Sequence, residues 1–191
     1  MKPNPYFALV SGVLAVSTGA IFARLADAPP LVIAAYRVGL ASAVLIPLAW
    51  WKAGDEIKRL SRSDTILALL AGLFLALHFA TWISSLFYTS VANSVVLVNT
   101  NPLWVGILTP IITGEKIKTG TKASIFISVL GGIIIGAGDF ATGKGALFGD
   151  FLALAGSICA AFYLLLGRKL RPSLSLIAYI SLCYGSAAVI L

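Results

Sequence analysis

One cation lies inside an apolar stretch of the sequence, away from the loops where most other charges collect. Arg37 is the only charged residue between Ala28 and Trp51. At about 1.5 Å of rise per residue, it would lie roughly 10 to 13 Å below the end of a spanning helix. A charge at mid-helix costs about 2.5 to 3.5 kcal/mol on insertion scales, so Arg37 is expected to face the bundle interior or a wet cavity. It would there contact a substrate carboxylate or phosphate, or else cap backbone carbonyls or extend toward the surface.

A polar and aromatic stripe follows one face of the next apolar stretch. His78, Trp82, Ser85 and Thr89 recur at helical spacing among Leu, Ala, Phe and Ile. Such a stripe is typical of a cavity wall, although helix packing through small polar residues gives the same pattern. His78 could also carry protons, because imidazole titrates near physiological pH.

The stretch after that combines amides, an indole and a proline. Asn101 and Trp104 share a helical face, and Asn99 adds a second amide. Pro102 cannot donate a hydrogen bond to the carbonyl of Val98, so the helix should kink there and leave an acceptor free. Since a free carbonyl is tolerated at membrane depth only beside protein or water, this region is the best candidate for a central site. Hydrogen bonding between helices by the asparagines is the alternative.

Two tyrosines and three glycines complete the candidates. Tyr163 could present a hydroxyl or ring to the same cavity, and Tyr36 adjoins the buried cation. The predicted substrate-binding residues are Arg37, Tyr36, His78, Trp82, Asn99, Asn101, Trp104 and Tyr163. The spacing of Gly132 and Gly136, preceded by Gly131, lets two helices approach closely, either inside the bundle or in a dimer.

Acidic residues are expected only in or beside loops. They are Asp27, Asp55, Glu56, Asp64, Glu115, Asp139 and Asp150. No carboxylate is therefore predicted inside a span to couple transport to H⁺ or Na⁺. The sequence has no Walker or HExxH motif, and its one histidine has no carboxylate near it in any span. We expect no enzyme activity, no cofactor and no metal site.

The composition identifies the environment of these residues. Of 191 residues, 59% are apolar and only 11% are charged, with a mean hydropathy of +0.99; soluble domains have about 25% charged residues. So few charges cannot cover a soluble surface, which excludes soluble enzymes, disordered chains and disulfide scaffolds. The net charge of +7 lies in short clusters between apolar runs, so no nucleic-acid partner is expected.

Seven apolar stretches are candidates for membrane spans, and the sequence predicts an all-α bundle of transmembrane helices. Their approximate bounds are 5–23, 30–51, 65–87, 91–113, 121–138, 149–167 and 173–191. Eleven Lys and Arg residues lie in the loops on one side and two on the other, which predicts a multi-pass protein of the inner or plasma membrane with a cytoplasmic N-terminus. A signal peptide is the alternative for the first stretch, although its apolar region is longer than the usual 7 to roughly 15 residues.

A weak internal repeat suggests how the spans are arranged. Ala35-Tyr36 recurs as Ala178-Tyr179, and the stretch from residue 8 resembles that from residue 153; chance similarity between apolar helices is the alternative. Because the first span runs outward and the sixth inward, a five-span repeat must be inverted, as in many secondary transporters. The chain ends within the seventh stretch. We therefore expect a fragment with one complete repeat and part of a second, the alternative being a seven-span protein.

An ordered set of short motifs resembles a known family. The motifs are Pro30 with Ala35-Tyr36-Arg37, His78 to Trp82 leading into Tyr88 to Ala92, Asn101-Pro102, Gly114-Glu115-Lys116, the glycines from Gly131 to Gly136, and Gly149-Asp150 through Tyr163 to Leu170. Together they resemble the EamA-like transporter family of the drug/metabolite transporter superfamily. The resemblance implies ten helices in two inverted five-helix repeats and transport of small metabolites, often outward. Residues 1–138 would be the first repeat and residues 146–191 the start of the second.

The expected function is that of a secondary carrier, an exporter of small metabolites such as amino acids, that works by alternating access. Its partners would be a small-molecule substrate, the lipid bilayer, and either the missing second repeat or a second copy. The alternative is a non-transporting or dimerising membrane scaffold or half-transporter. A membrane enzyme is a weaker choice, because it would need a catalytic cluster supplied from elsewhere.

Overall fold

The computed structural model describes residues 5–116, 119–139 and 144–191, and every regular element in these ranges is an α-helix. The all-α bundle predicted from the sequence is thereby confirmed over this part of the chain. The helices are α1 (Pro5–Leu25), α2 (Pro30–Lys58), α3 (Arg62–Ser85), α4 (Val91–Val98), α5 (Asn101–Ile112), α6 (Thr119–Asp139), α7 (Lys144–Leu170) and α8 (Leu176–Ile190).

Several of these helices are apolar enough to cross a membrane. Among the described residues, four stretches combine sufficient length and hydropathy: Pro30–Lys58, Arg62–Ser85, Val91–Ile112 and Gly145–Leu170. Leu9–Leu25 and Leu176–Ile190 are apolar but shorter. The protein is therefore a multi-pass membrane protein, and lipid accounts for the many exposed apolar side chains.

Serine and proline residues start the helices. Ser61, Ser90 and Ser175 each accept a hydrogen bond from the backbone N–H three residues further on, at 3.0, 3.1 and 3.3 Å. This is the usual N-cap arrangement, which satisfies one of the free donors at a helix start. Pro30 begins α2, at a position where its missing N–H costs nothing.

The fourth predicted span is divided into α4 and α5 by a break at Asn99 and Thr100. Both residues leave helical geometry, with ψ values of 2° and 4°. Pro102 lies in the first turn of α5, where it has no N–H to continue the ladder from α4. The Leu97 carbonyl accepts both from the Thr100 hydroxyl at 2.6 Å and from the Thr100 backbone N–H at 3.1 Å, so Thr100 satisfies this carbonyl at the break.

Helix α3 is the centre of the bundle, and it packs mainly against α7 and α8, with α2 beside α8. Small residues allow these close approaches. A Cβ on Gly72 would stand 2.7 Å from the carbonyl oxygen of Cys183 on α8. Ala68 and Ala71 of α3 are fully buried. Small-residue packing of this kind is typical of helices in lipid, where the hydrophobic effect does not drive helix association.

Contacts between helix ends and the turns beside them distinguish the two ends of the bundle. At one end, Arg24 lies over the ring of Phe87, and Gly149 adjoins the backbone of Thr89; we call it the Thr89 end. At the other, the Glu56 carboxylate accepts from the Ser175 backbone N–H. We call this the Glu56 end.

Helices α1 and α6 are peripheral. Most of α1 is exposed, including Phe7 and Leu14. A Cβ on Gly131 in α6 would meet nothing within 4 Å. The surroundings of Gly132 and Gly136 lie outside the described residues, so the packing role expected for these glycines stays a prediction.

Candidate functional site

A cavity of about 780 Å³ opens between α1, α2, α3, α8 and the break between α4 and α5. Its volume is within the range of small-molecule sites, roughly 300 to 1,000 Å³. Helix α1 contributes a mainly apolar wall. The rest of the wall includes Arg37, His78, Phe79, Trp82, Asn99, Asn101 and Tyr184. Five of the eight residues predicted from the sequence to bind substrate are therefore brought together here.

The guanidinium of Arg37 lies over two aromatic rings. Its central carbon is 5.3 Å from the ring centroids of both Phe79 and Trp82. Cation–π contacts contribute about 0.5 to 2 kcal/mol, so they offset part of the cost of placing a charge at this depth. Helix α1 also comes close, because a Cβ on Gly19 would stand 2.7 Å from Nη1 of Arg37. None of the described residues that line the cavity is Asp or Glu, so the charge has no carboxylate partner there.

His78 is held by α7. Its Nδ1 donates to the carbonyl oxygen of Gly156 at 2.8 Å, which leaves Nε2 as the acceptor in the neutral ring. The imidazole stacks on the indole of Trp82, with ring centroids 5.7 Å apart and planes inclined by 20°. A Cβ on Gly156 would approach the Trp82 Cβ to 3.3 Å. The glycine therefore lets α7 come close enough to fix the imidazole.

The predicted stripe on α3 has two parts with different surroundings. His78 and Trp82 line the cavity, whereas Ser85 is fully buried against α4. The Ser85 hydroxyl donates to the Trp82 carbonyl and also lies 2.6 Å from the Ser94 hydroxyl. Ser85 and Ser94 therefore fix the position of α4 relative to the cavity wall, and Ser85 does not contribute to the lining.

The break between α4 and α5 supplies amides to the cavity. Asn99 and Asn101 line it, while Trp104 does not. The indole nitrogens of Trp82 and Trp104 are both buried without a hydrogen-bond acceptor among the described residues. Val98, whose carbonyl the sequence predicts to be free beside Pro102, lines the same cavity as these two amides.

A second pocket, the crevice, lies between α1 and α2. This crevice has a volume of about 470 Å³ and is lined by Tyr36, which is 68% exposed, and also by Arg37. Tyr163 lies elsewhere, stacked on Tyr179 with a centroid distance of 5.6 Å. The Tyr179 hydroxyl donates to the Tyr163 carbonyl at 2.6 Å, which ties α8 to α7. Tyr36 and Tyr163 are therefore not brought into the cavity with the other candidates.

Two aromatic residues of the site are absent from the predicted set. Phe79 lies under Arg37, and its ring centroid is 6.4 Å from that of Tyr184 on α8. Phe79 follows His78 directly and could have been suspected from that adjacency. Tyr184 carries no comparable signal, because α8 is apolar around most of its circumference and the sequence does not indicate which face is buried.

The expectation that no carboxylate lies inside a span is wrong for Asp150. This residue lies within α7 and is only 6% exposed. Gly149 before it packs against the backbone of Thr89, in the turn after α3. Because α7 extends to Lys144, Asp150 is covered by that turn and does not lie in a solvated loop.

Comparison with known proteins identifies the family. The model of the EamA-like transporter family matches residues 4–137. An uncharacterized transporter of Archaeoglobus fulgidus is 31% identical over 150 residues, which are 76% of this chain and 50% of the relative. The uncharacterized transporter YyaM of Bacillus subtilis is 30% identical over 140 residues, 71% of this chain and 46% of the relative.

The chain thus spans about half the length of these curated relatives. No solved structure matches it significantly. The family match covers all the residues of the cavity except Tyr184. The chain belongs to the EamA-like transporter family.

Proposed function

We propose that this chain supplies the substrate site of a secondary carrier that exports small metabolites with a carboxylate group by alternating access. The observation that carries the proposal is the position of Arg37, which lines a cavity of about 780 Å³. It lies seven residues into α2, so about 10 Å below the Thr89 end. A cation kept at such depth indicates a functional site with an anionic partner.

The surrounding groups suit a carboxylate. The guanidinium presents a planar set of donors that can bind both carboxylate oxygens. Amide groups of Asn99 and Asn101 lie in the same cavity and can donate further hydrogen bonds. The aromatic surfaces of Phe79 and Tyr184 would contact the apolar part of a small metabolite. Apolar walls with a few polar groups are typical of such sites.

The interrupted helix supports a carrier mechanism. Carriers often bind substrate where a spanning helix is broken, and rocking about that point exposes the site to each side in turn. Here α4 and α5 meet at Asn99 and Thr100, beside the cavity. In the orientation predicted from the loop charges, the Thr89 end faces outward and the N-terminus is cytoplasmic. The opposing half would be a second repeat or a second copy of the chain.

The test is a transport assay in proteoliposomes that contain the product of the complete reading frame. A panel of amino acids and organic acids is screened for uptake and efflux with the parent protein, Arg37→Gln and Arg37→Lys. The matched control is Arg24→Gln, since Arg24 also lies over an aromatic ring but is not among the residues that line the cavity.

We expect Arg37→Gln to lower transport efficiency about tenfold to a hundredfold, because hydrogen bonds to charged groups contribute about 1.5 to 3 kcal/mol. Arg37→Lys should give an intermediate loss, since lysine keeps the charge without the paired donors. Arg24→Gln should transport normally. Equal transport by Arg37→Gln and the parent protein would refute the proposed site. If the parent protein transports no solute of the panel, the scaffold alternative is favoured.

A further inference from the structure

The cavity and the crevice between α1 and α2 meet at one side chain. Arg37 lines both, and its guanidinium lies against Gly19 of α1. The rest of the crevice is mainly apolar, with Ala15, Phe22 and Val32 in its walls, and Thr18 and Tyr36 add hydroxyl groups. A molecule whose charged end binds Arg37 therefore has an apolar space of about 470 Å³ beside it.

The charges in these two spaces distinguish between classes of ligand. Among the described residues that line them, Arg37 is charged and none is Asp or Glu. An ammonium group would therefore find no carboxylate. It would find the rings of Phe79 and Trp82 already contacted by the guanidinium. A zwitterion or an amine would bury a positive charge with only neutral acceptors beside it, such as the amide oxygens of Asn99 and Asn101, whereas a simple anion would meet the opposite charge of Arg37.

The depth of Arg37 separates a soluble ligand from a lipid headgroup. Lipid phosphates lie at the membrane surface, about 10 Å from a residue seven positions into α2. The guanidinium is held under that surface by Phe79, Trp82 and α1. Because Arg37 lines both spaces, a carboxylate that binds it from the cavity would have the crevice beside it for a tail.

We propose, on the basis of the proposed carrier function, that the ligand is an amphipathic organic anion. Its carboxylate binds Arg37, and its alkyl or aryl tail occupies the crevice between α1 and α2. The crevice thereby acts as a subsite that selects for a tail, and the described lining, which contains Arg37 but no Asp or Glu, selects against amines and zwitterions.

The experiment measures binding by titration calorimetry to the protein in nanodiscs of zwitterionic lipid, with empty nanodiscs as the blank. The ligands are acetate, phenylpropionate and phenylalanine. Phenylpropionate has the tail that acetate lacks, and phenylalanine is the same molecule with an added ammonium group. We expect phenylpropionate to bind at least about tenfold more tightly than either, given the area of the ring that the crevice can bury. Equal affinities of phenylpropionate and acetate would overturn the subsite, and tighter binding of phenylalanine would overturn the selection for anions.

Two variants locate the tail. Ala15→Phe fills the crevice, whereas Leu14→Phe adds a ring at the next position, which lines neither space and is 64% exposed. We expect Ala15→Phe to reduce phenylpropionate affinity to about that of acetate, and Leu14→Phe to leave phenylpropionate affinity unchanged. Equal effects of the two variants on phenylpropionate would contradict the placement of the tail.

Two further arms separate the possible sources of failure. If phenylpropionate binding is lost in nanodiscs of phosphatidylglycerol, a lipid anion occupies the crevice and the soluble-ligand proposal is overturned; undiminished binding supports it. One outcome is that Arg37→Gln abolishes acetate binding while the parent protein binds phenylpropionate no more tightly than acetate. In that case the carrier site is supported and only the tail subsite is refuted. If Arg37→Gln changes neither affinity, the proposed carrier site at Arg37 is refuted as well.

Discussion

Adding one methyl group at Gly19 is expected to move the guanidinium of Arg37. The new Cβ would lie 2.7 Å from Nη1 and 3.2 Å from Nη2. Ordinary contacts lie at about 3.5 to 4.0 Å, so the guanidinium must retreat by about 1 Å. It is the far end of a flexible side chain, and it can therefore move without displacing a helix.

The displacement should reduce anion binding while the fold remains stable. Loss of one of two hydrogen bonds to a carboxylate would cost about 1.5 kcal/mol, or about tenfold in Kd. Replacing glycine by alanine within a helix instead stabilises it by about 1 kcal/mol. Gly19→Ala should thus lower affinity and keep or raise the midpoint of thermal unfolding, a pair of effects that general damage would not produce.

The assay compares Gly19→Ala with Gly12→Ala. Gly12 lies on the same helix and lines the same cavity, but a Cβ there would meet nothing within 4 Å. Kd for phenylpropionate is measured by calorimetry in nanodiscs, and the unfolding midpoint is measured on the same samples. We expect a tenfold weaker Kd, within a factor of about three, for Gly19→Ala alone. The same Kd for both variants would refute the reasoning that α1 sets the position of the guanidinium.

The remaining predictions concern the packing that holds the site. Gly149→Ala should destabilise the protein by about 1 to 3 kcal/mol, because the Cβ would lie 2.7 Å from the backbone nitrogen of Thr89. Gly145→Ala in the same helix meets nothing within 4 Å and should not destabilise it; equal loss in reversible unfolding would contradict this account. Ser94→Ala should cost about 1 kcal/mol in the same measurement, since it removes the hydrogen bond to Ser85. No measurable loss would show that this contact does not fix α4.

Periodicity and charge were sufficient to find the centre of the site. Arg37 is conspicuous because it is a charge inside an apolar stretch. His78 and Trp82 share a helical face, and both line the cavity. Pro102 indicates the helix break beside which Asn99 lines the same cavity. These residues are conspicuous because a buried charge and an unsatisfied backbone carbonyl both cost free energy in lipid, where no water can solvate them.

The sequence predicts that Trp104 shares a helical face with Asn101, and both residues lie on α5, beyond the break at Asn99 and Thr100. Only Asn101 lines the cavity, because it begins α5 beside the break, whereas Trp104 lies three residues further along the helix. A shared helical face therefore does not place two residues at the same depth in the bundle.

Tyr36 and Arg37 are neighbours in the sequence, yet only Arg37 reaches the cavity. Successive residues of a helix point about 100° apart, so Tyr36 lies on the crevice side alone. Asp150 adjoins a predicted loop, and the sequence therefore predicts that its side chain is exposed. Burial there depends on the turn after α3, which is more than 60 residues away in the sequence and carries no local signal.

The central claim is that Arg37 binds the carboxylate of an organic anion, and an experimental structure with a bound ligand tests it most directly. A ring-brominated phenylpropionate would mark the tail by anomalous scattering. The account predicts carboxylate oxygens within about 3 Å of the Arg37 nitrogens and the bromine between α1 and α2. A carboxylate bound elsewhere in an occupied cavity, with Arg37 still directed only at Phe79 and Trp82, would contradict it.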